Sequence, residues 1–319
     1  MNSFDVFNGD ADGICALQQM RLAYPADTQL VSGIKRDIQL VKKVDAKPGD
    51  KLLVLDVSLD KNIEAVKLLL KRDCQVQYFD HHLASDIPDN DLFKSYINTS
   101  ADMCTSLLVN EYLKQRHVLW AITGAYGDNM LASAERLAEQ AGLDEQQRSL
   151  LHELGIYLNY NGYGASLEDL YFTPTDLYLA IKPYNSPFEF IKNEPVFEIL
   201  KAGYKHDMAQ ADSLSPAVVT DSAAVFILPA EKWCRRVSGV LANNLSNQFP
   251  DRAHAILTKS EKEAYQVSVR APHNNKTGAG ELCSQFESGG GRQGAAGINH
   301  LPEADKERFV AAFSRCYSA

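Results

Sequence analysis

The sequence predicts an α/β protein in two domains, and three observations carry that expectation. Short apolar runs recur, each followed by an acidic residue and then by a helix-patterned stretch. The run Lys51–Val57 is nearly continuous in apolar residues, as a strand buried on both faces of a parallel sheet is. The chain has 319 residues, and strand patterning restarts near Ala217 after a proline-interrupted stretch. The expected architecture is an N-terminal domain over 1–205, with a mainly parallel sheet flanked by helices and a helical connector from about residue 136. A smaller C-terminal α/β domain follows over 206–319, with the functional site in the cleft between the two.

Asp5 to Phe7 reads as the end of a first strand, and Ile14 to Tyr24 as a helix. Between them lies Asn8–Gly9–Asp10–Ala11–Asp12–Gly13, an acidic loop where α/β folds build sites. Asp10 and Asp12 are two apart, so both can face one ion; the plain alternative makes Asp12 the helix N-cap. Leu30 to Ile34 is a candidate strand. Asp56 interrupts the Lys51–Val57 run and is costly to bury unless paired, hydrogen-bonded or metal-bound; otherwise it caps the helix beginning near Lys61.

Gln75 to Phe79 enters the core as a strand and ends on Asp80–His81–His82. Fold stability asks for no such ending, and imidazole with carboxylate suits a borderline divalent metal; a solvated surface turn is the alternative. Asn98 to Ala101 leads into a helix over Met103–Gln115, with Thr105 and Ser106 in its first turn. Val118 to Thr123 is apolar and precedes Gly124–Ala125–Tyr126–Gly127–Asp128, another carboxylate after an apolar segment. The recurrence at Asp10/Asp12, Asp56, Asp80 and Asp128 reads as carboxyl ends of neighbouring strands meeting around metal ions. Arg136 to Tyr160 reads as one helix, and Tyr157–Gly164 as an aromatic and amide cluster that packs or stacks a base, with packing favoured.

In the C-terminal part, Ala223–Leu228, Ala253–Thr258 and Tyr265–Arg270 read as strands, Glu231–Asn247, Leu282–Phe286 and 303–317 as helices. Gly289–Gly290–Gly291–Arg292 can form a backbone nest for an anion, with the Arg292 fork suited to phosphate; Ala295, Ala296 and Gly297 suggest close packing beside it.

A net charge of −9 argues against tight binding to long duplex DNA, which needs many phosphate contacts. Six cysteines without a CxxC pair read as free thiols in a reducing cytoplasm. Met1–Asn2–Ser3–Phe4–Asp5 carries no basic-then-apolar leader, and no apolar run approaches membrane-spanning length, so a cytoplasmic protein without membrane partners is expected, as monomer or homodimer.

Together these motifs resemble the DHH/DHHA1 phosphoesterases, the superfamily of RecJ-type exonucleases, nano-RNases and cyclic-dinucleotide phosphodiesterases. Asp10–Ala–Asp12–Gly looks like motif I, Leu55–Asp56 motif II, Asp80–His81–His82 motif III and Gly124–Ala–Tyr–Gly–Asp128 motif IV. Val267–Ser–Val–Arg270 through Gly297 resembles the DHHA1 signature. The resemblance implies two Mn²⁺ ions, with Mg²⁺ the alternative metal. One would be held by Asp12, Asp56, His81 and Asp128, the other by Asp10 with Asp56 bridging. It assigns His81, His82 and Asp80 to catalysis, with His82 contacting the scissile phosphate or orienting a ligand. Arg270, Gly289, Gly290, Gly291 and Arg292 would hold a second phosphate or the nucleotide end. The chain departs from the family pattern in two places: Val6 stands where many members carry His, and Arg292 follows the glycines where His is usual. The implied activity is metal-assisted hydrolysis of short oligonucleotides or linear and cyclic dinucleotides. A nucleotide sensor with weak turnover and a polyphosphate or pyrophosphate hydrolase are the rival readings.

Overall fold

A computed structural model describes residues 2–260 and 263–317. The chain divides into two compact units, Met1–Ala202 and Gly203–Ala319.

The first unit opens with β1 (Ser3–Phe7), α1 (Ala11–Ala23), β2 (Gln29–Val31), β3 (Lys51–Leu55), α2 (Leu59–Leu70), β4 (Gln75–Asp80) and β5 (Phe93–Ile97). The strands form one five-stranded sheet in the order β2-β1-β3-β4-β5, parallel throughout. β1 and β3 are buried along nearly their whole length, which is why their sequences are apolar without alternation. The order reverses between β1 and β3, so their carboxyl ends open a crevice where α/β folds place ligands. Phe93–Ile97 escapes sequence reading because Phe93 is its only fully buried residue, leaving little apolar pattern.

Helices complete the unit: α3 (Thr105–Tyr112), α4 (Val118–Gly127), α5 (Leu131–Gln140), α6 (Glu145–Gly162), α7 (Pro174–Ile181), α8 (Pro187–Asn193) and α9 (Pro195–Ala211), the last running past the unit's end. Two expectations change. The apolar run ending at Asp128 is the buried helix α4, not a strand. A helix apolar on all sides carries no period, so it reads like a buried strand. The expected single helix over 136–160 is two, α5 and α6. Gly142 turns the chain at φ +72°, and Asp144 with Gln147 forms a capping box that starts α6.

The second unit contains β6 (Val218–Val219), β7 (Ala223–Leu228), α10 (Lys232–Gln248), β8 (Ala253–Lys259), β9 (Ala264–Arg270), α11 (Ala279–Cys283), β10 (Gly289–Gly291), β11 (Ala295–Pro302) and α12 (Lys306–Cys316). Its mixed sheet runs β10-β11-β9-β8-β7-β6, with only β7 and β8 parallel. Ala253, Ala255 and Leu257 share a core with Leu282 of α11 and Phe309 and Phe313 of α12. By alternation His254 and Ile256 face the other side, where α10 packs. Part of the β8–β9 turn, residues 261 and 262, lies outside the described residues.

The triglycine is not an anion nest. Gly289–Gly291 is strand β10, paired with β11, and the Gly289 N–H donates to Phe286 O at 2.9 Å. Gly289 and Gly291 serve close packing, while Gly290 faces open space. A Cβ on Gly289 would lie 1.8 Å from the Cys283 carbonyl oxygen, and Gly291 adopts φ +143°. No helix among the described residues is long and apolar enough to cross a membrane. All six cysteines are free thiols, and only Cys316 is exposed.

His254 makes the second unit acid-sensitive. Burial first, and Arg252 beside it, push its ring down to about 4. An unfolded histidine titrates near ~6.5, so the unfolded chain binds the proton first as pH falls. The stability that neutral His254 preserves is complete above that value and is lost between ~6.5 and about 4. The loss is on the order of 3 kcal/mol at most. Urea midpoints of the full chain at neutral and mildly acidic pH should fall less steeply in His254→Gln than in wild type; equal slopes would contradict the assignment.

Candidate metal centre

The centre assembles at the carboxyl ends of β1, β3 and β4. Asp10 is the N-cap of α1, its Oδ1 accepting the Gly13 N–H at 3.1 Å. The capping role considered for Asp12 therefore belongs to Asp10. Asp12 instead lies in the first turn of α1 and accepts the N–H groups of Thr105 (2.8 Å) and Ser106 (2.7 Å). The start of α3 thus receives an anion, the protein's own Asp12.

Asp56 follows β3 with φ +58°, a left-handed conformation costly for most non-glycine residues. Its N–H donates to Phe79 O at 3.0 Å, and its Oδ1 accepts the Thr105 hydroxyl at 3.2 Å. The chain cannot continue as strand there, so the carboxylate turns into the crevice. Asp128 is the C-cap of α4. It arrives on a helix end beside the strand ends, because α4 packs closely on its neighbours. A Cβ on Gly127 would lie 2.2 Å from Ala11 Cβ and 2.7 Å from Gly155 O.

β4 delivers the rest. Asp80 is fully buried and spreads its oxygens over three groups: Oδ1 accepts the His81 N–H (2.9 Å) and meets His82 Nδ1 (2.7 Å), and Oδ2 accepts the Leu59 N–H (3.4 Å). His81 Nδ1 lies 2.9 Å from Met103 O. A carbonyl only accepts, so Nδ1 carries a proton, and the ring turns its Nε2 toward the carboxylates. Nε2 stands 3.4 Å from Asp56 Oδ1, 3.9 Å from Asp12 Oδ2 and 4.0 Å from Asp128 Oδ2. Asp12, His81 and Asp128 form one group whose ligand atoms lie within 4.8 Å of one another, and Asp56, His81 and His82 form a second.

Charge crowding is severe. Burial first, then Asp10 and Asp12, hold the Asp56 carboxyl well above the usual range. Burial raises Asp12 too, opposed by His81 and reinforced by Asp128 and Asp10. Burial alone would lower the His82 ring, but Asp80 outweighs it and the ring is held above its ordinary value.

The structure sets Asp12, Asp56 and Asp128 each within 4.0 Å of His81 Nε2, but divides them between the two ligand groups, and Asp10 belongs to neither. Its Oδ2 lies 2.6 Å from Lys35 Nζ. Sequence reading missed Lys35, which sits in the loop after β2 with no motif around it. The Tyr157–Gly164 cluster packs, as favoured over base stacking: Tyr157, Tyr160 and Tyr163 are buried. Its Asn159 Oδ1 accepts from Lys35 Nζ at 2.9 Å. In the second unit, Arg270 lies opposite Ala295 in the β9–β11 ladder, and the Ala295 carbonyl accepts the Arg292 N–H at 2.9 Å, so both arginines start from one corner. Arg270 Nε donates to Asn243 Oδ1 at 2.8 Å.

Residues 221–319 match the DHHA1 domain family. The chain carries a DHHA1 domain. The fold of the whole chain is shared with solved structures. Exonuclease RecJ bound to manganese superposes with a TM-score of 0.62 at 16% identity, covering 99% of this chain and 90% of that one. RecJ from Thermus thermophilus in complex with Mn²⁺ gives 0.64 at 16% identity over 98% of this chain, which spans about half (51%) of that one. The pGpG-specific phosphodiesterase PggH from Vibrio cholerae gives 0.56 at 15% identity, covering 99% of both chains. Among curated proteins no sequence relative matches.

The close seat of α4 is testable. Gly127→Ala would drive a methyl into Ala11 and the Gly155 carbonyl, costing about 1–3 kcal/mol. It should displace Asp128 as well, so thermal unfolding should shift down and divalent-metal binding weaken together. A variant as stable and as metal-competent as wild type would refute this role.

Proposed function

We propose that the protein is a metal-dependent phosphodiesterase acting on short oligonucleotides or linear and cyclic dinucleotides. The observation that carries this reading is the convergence of buried Asp12, Asp56 and His81 with Asp128 at the strand ends. Three carboxylates pressed on one imidazole nitrogen repel each other, and a divalent cation resolves that repulsion. Carboxylate oxygens with one imidazole suit Mn²⁺ or Mg²⁺. The shared fold with manganese-bound RecJ and with a pGpG phosphodiesterase supports the same reading.

When bound, the cation lowers the pKa of a coordinated water and offsets charge developing on the phosphoryl oxygens. The chain's own residues do the rest. Thr105 and the α3 N–H groups fix the angles of Asp56 and Asp12. Asp80 orients His82, half-exposed beside His81, and raises its affinity for a proton. His82 donates to a phosphoryl oxygen. Arg270 and Arg292 hold a phosphate that is not being cleaved, and the net charge of −9 keeps the preference to short substrates.

Dinucleotides, cyclic dinucleotides, short RNA and pyrophosphate, each incubated with Mn²⁺, test the reading. Cleavage of dinucleotides or short RNA is expected. Binding without turnover would favour the sensor, and cleavage of pyrophosphate alone the pyrophosphate hydrolase.

Asp56→Asn should abolish hydrolysis and lower metal occupancy, measured by elemental analysis. The swap is isosteric, and Asn adopts the left-handed conformation readily, so circular dichroism should be unchanged. Full activity would sink the metal assignment. Arg292→Ala should raise KM roughly ten- to a hundredfold with kcat within a few-fold, since a charge-assisted bond is worth about 1.5–3 kcal/mol and is made in ground and transition states alike. A collapse of kcat at constant KM would place Arg292 in the chemical step instead.

A further inference from the structure

Lys35 is a cation set between the Asp10 and Asp128 carboxylates, beside the ligand group around His81. We infer that the centre binds a single divalent cation and that the Lys35 ammonium takes the second cation's place beside Asp10, an inference that rests on the metal-dependent reading above.

Both oxygens of Asp10 are engaged: Oδ1 caps α1, and Oδ2 lies 2.6 Å from Lys35 Nζ. Asp128 faces both ways, with Oδ2 toward His81 Nε2 and Oδ1 3.6 Å from Lys35 Nζ. The ammonium is therefore flanked by two carboxylates, one of which also belongs to the ligand group around His81. An ion on Asp10 would have to share this space with a fixed positive charge, in surroundings of low dielectric where repulsion is strong. It would also lack an imidazole ligand. Val6, on β1 below, is fully buried and apolar, and Asn8 Nδ2 points to the Lys35 carbonyl at 3.3 Å.

Lys35 is anchored as a site residue is, not as a surface lysine. Its N–H donates to Gly162 O at 2.8 Å, and its carbonyl accepts from Asn8. Nζ donates to Asn159 Oδ1 at 2.9 Å and stands 5.5 Å from the Tyr163 ring centre. The loop and the last turn of α6 thus fix the main chain, the stem and the tip. The Asp10 and Asp128 carboxylates lie 2.6 and 3.6 Å from the Lys35 ammonium. Its side chain keeps 21% exposure, so the tip reaches the crevice. There it offers a phosphoryl oxygen a permanent positive charge, present whatever the metal concentration.

The test is metal stoichiometry by calorimetry and elemental analysis, with the Mn²⁺ resonance spectrum as a second readout; neither needs turnover. Wild type should bind one Mn²⁺ per chain and give the hyperfine pattern of an isolated ion. Lys35→Met, which keeps the stem and removes the charge, should admit a second ion and give the spectrum of a coupled pair. Lys35→Arg should restore single occupancy. Two coupled ions in wild type overturn the inference and leave the hydrolase reading standing. One ion in both wild type and Lys35→Met overturns it too, since Lys35 would not be what excludes the second. No ion in wild type removes both readings.

Discussion

The burial of three carboxylates beside a fourth, partly exposed one is the constraint on which the first unit depends. Asp10, Asp12 and Asp56 are each 2% exposed or less, and Asp128 completes the set. Unpaired charge at that depth would be strongly destabilising. Each of the three is therefore given a separate partner: a helix start for Asp12, a cap and an ammonium for Asp10, a hydroxyl and an imidazole for Asp56. The sheet order supplies the crevice, and α4 and α6 close it with glycines that let their backbones approach. The unit is built around a charge problem that its own groups solve only in part, which is the condition in which a cation binds tightly.

Much of this was legible in the sequence because strand ends carry their chemistry in contiguous residues. Asp10, Asp12, Asp56 and the Asp80–His82 triplet each follow an apolar run that needs no acid for stability. Asp128 reads in the sequence as the end of a strand, whereas it caps a helix that ends beside Asp12 and His81. A buried helix and a buried strand give the same unbroken apolar signal, and the glycines of α4 mark helix packing only once its neighbours are known. Lys35 was not legible at all. Its role depends on a loop after an edge strand meeting the end of a helix more than a hundred residues later, and no local pattern records such a meeting.

The C-terminal DHHA1 domain shows the converse. Three consecutive glycines with an arginine look like a backbone nest, and composition cannot separate that from a strand that must pass close to another backbone. The Cys283 carbonyl decides the matter, because no side chain fits at Gly289. The phosphate-binding role proposed for that corner therefore falls to the arginine side chains and not to the main chain.

Asp56 links the geometry to function most directly. A non-glycine residue in the left-handed region persists only when its surroundings over-determine it. Here the backbone bond to Phe79 and the hydroxyl of Thr105 do so, from β4 and α3 respectively. The same two elements position His81 and receive Asp12. A shift of β4 against α3 would thus disturb three of the four proposed ligands at once. The ligand group moves as a unit or not at all, so it is held ready for a cation before the cation arrives. Lys35 adds to that readiness from a different direction, because its anchors lie on α6 and in the β1 loop. The two sides of the crevice are fixed independently, one around the carboxylates and imidazole of the proposed ligand group and the other around the Lys35 ammonium.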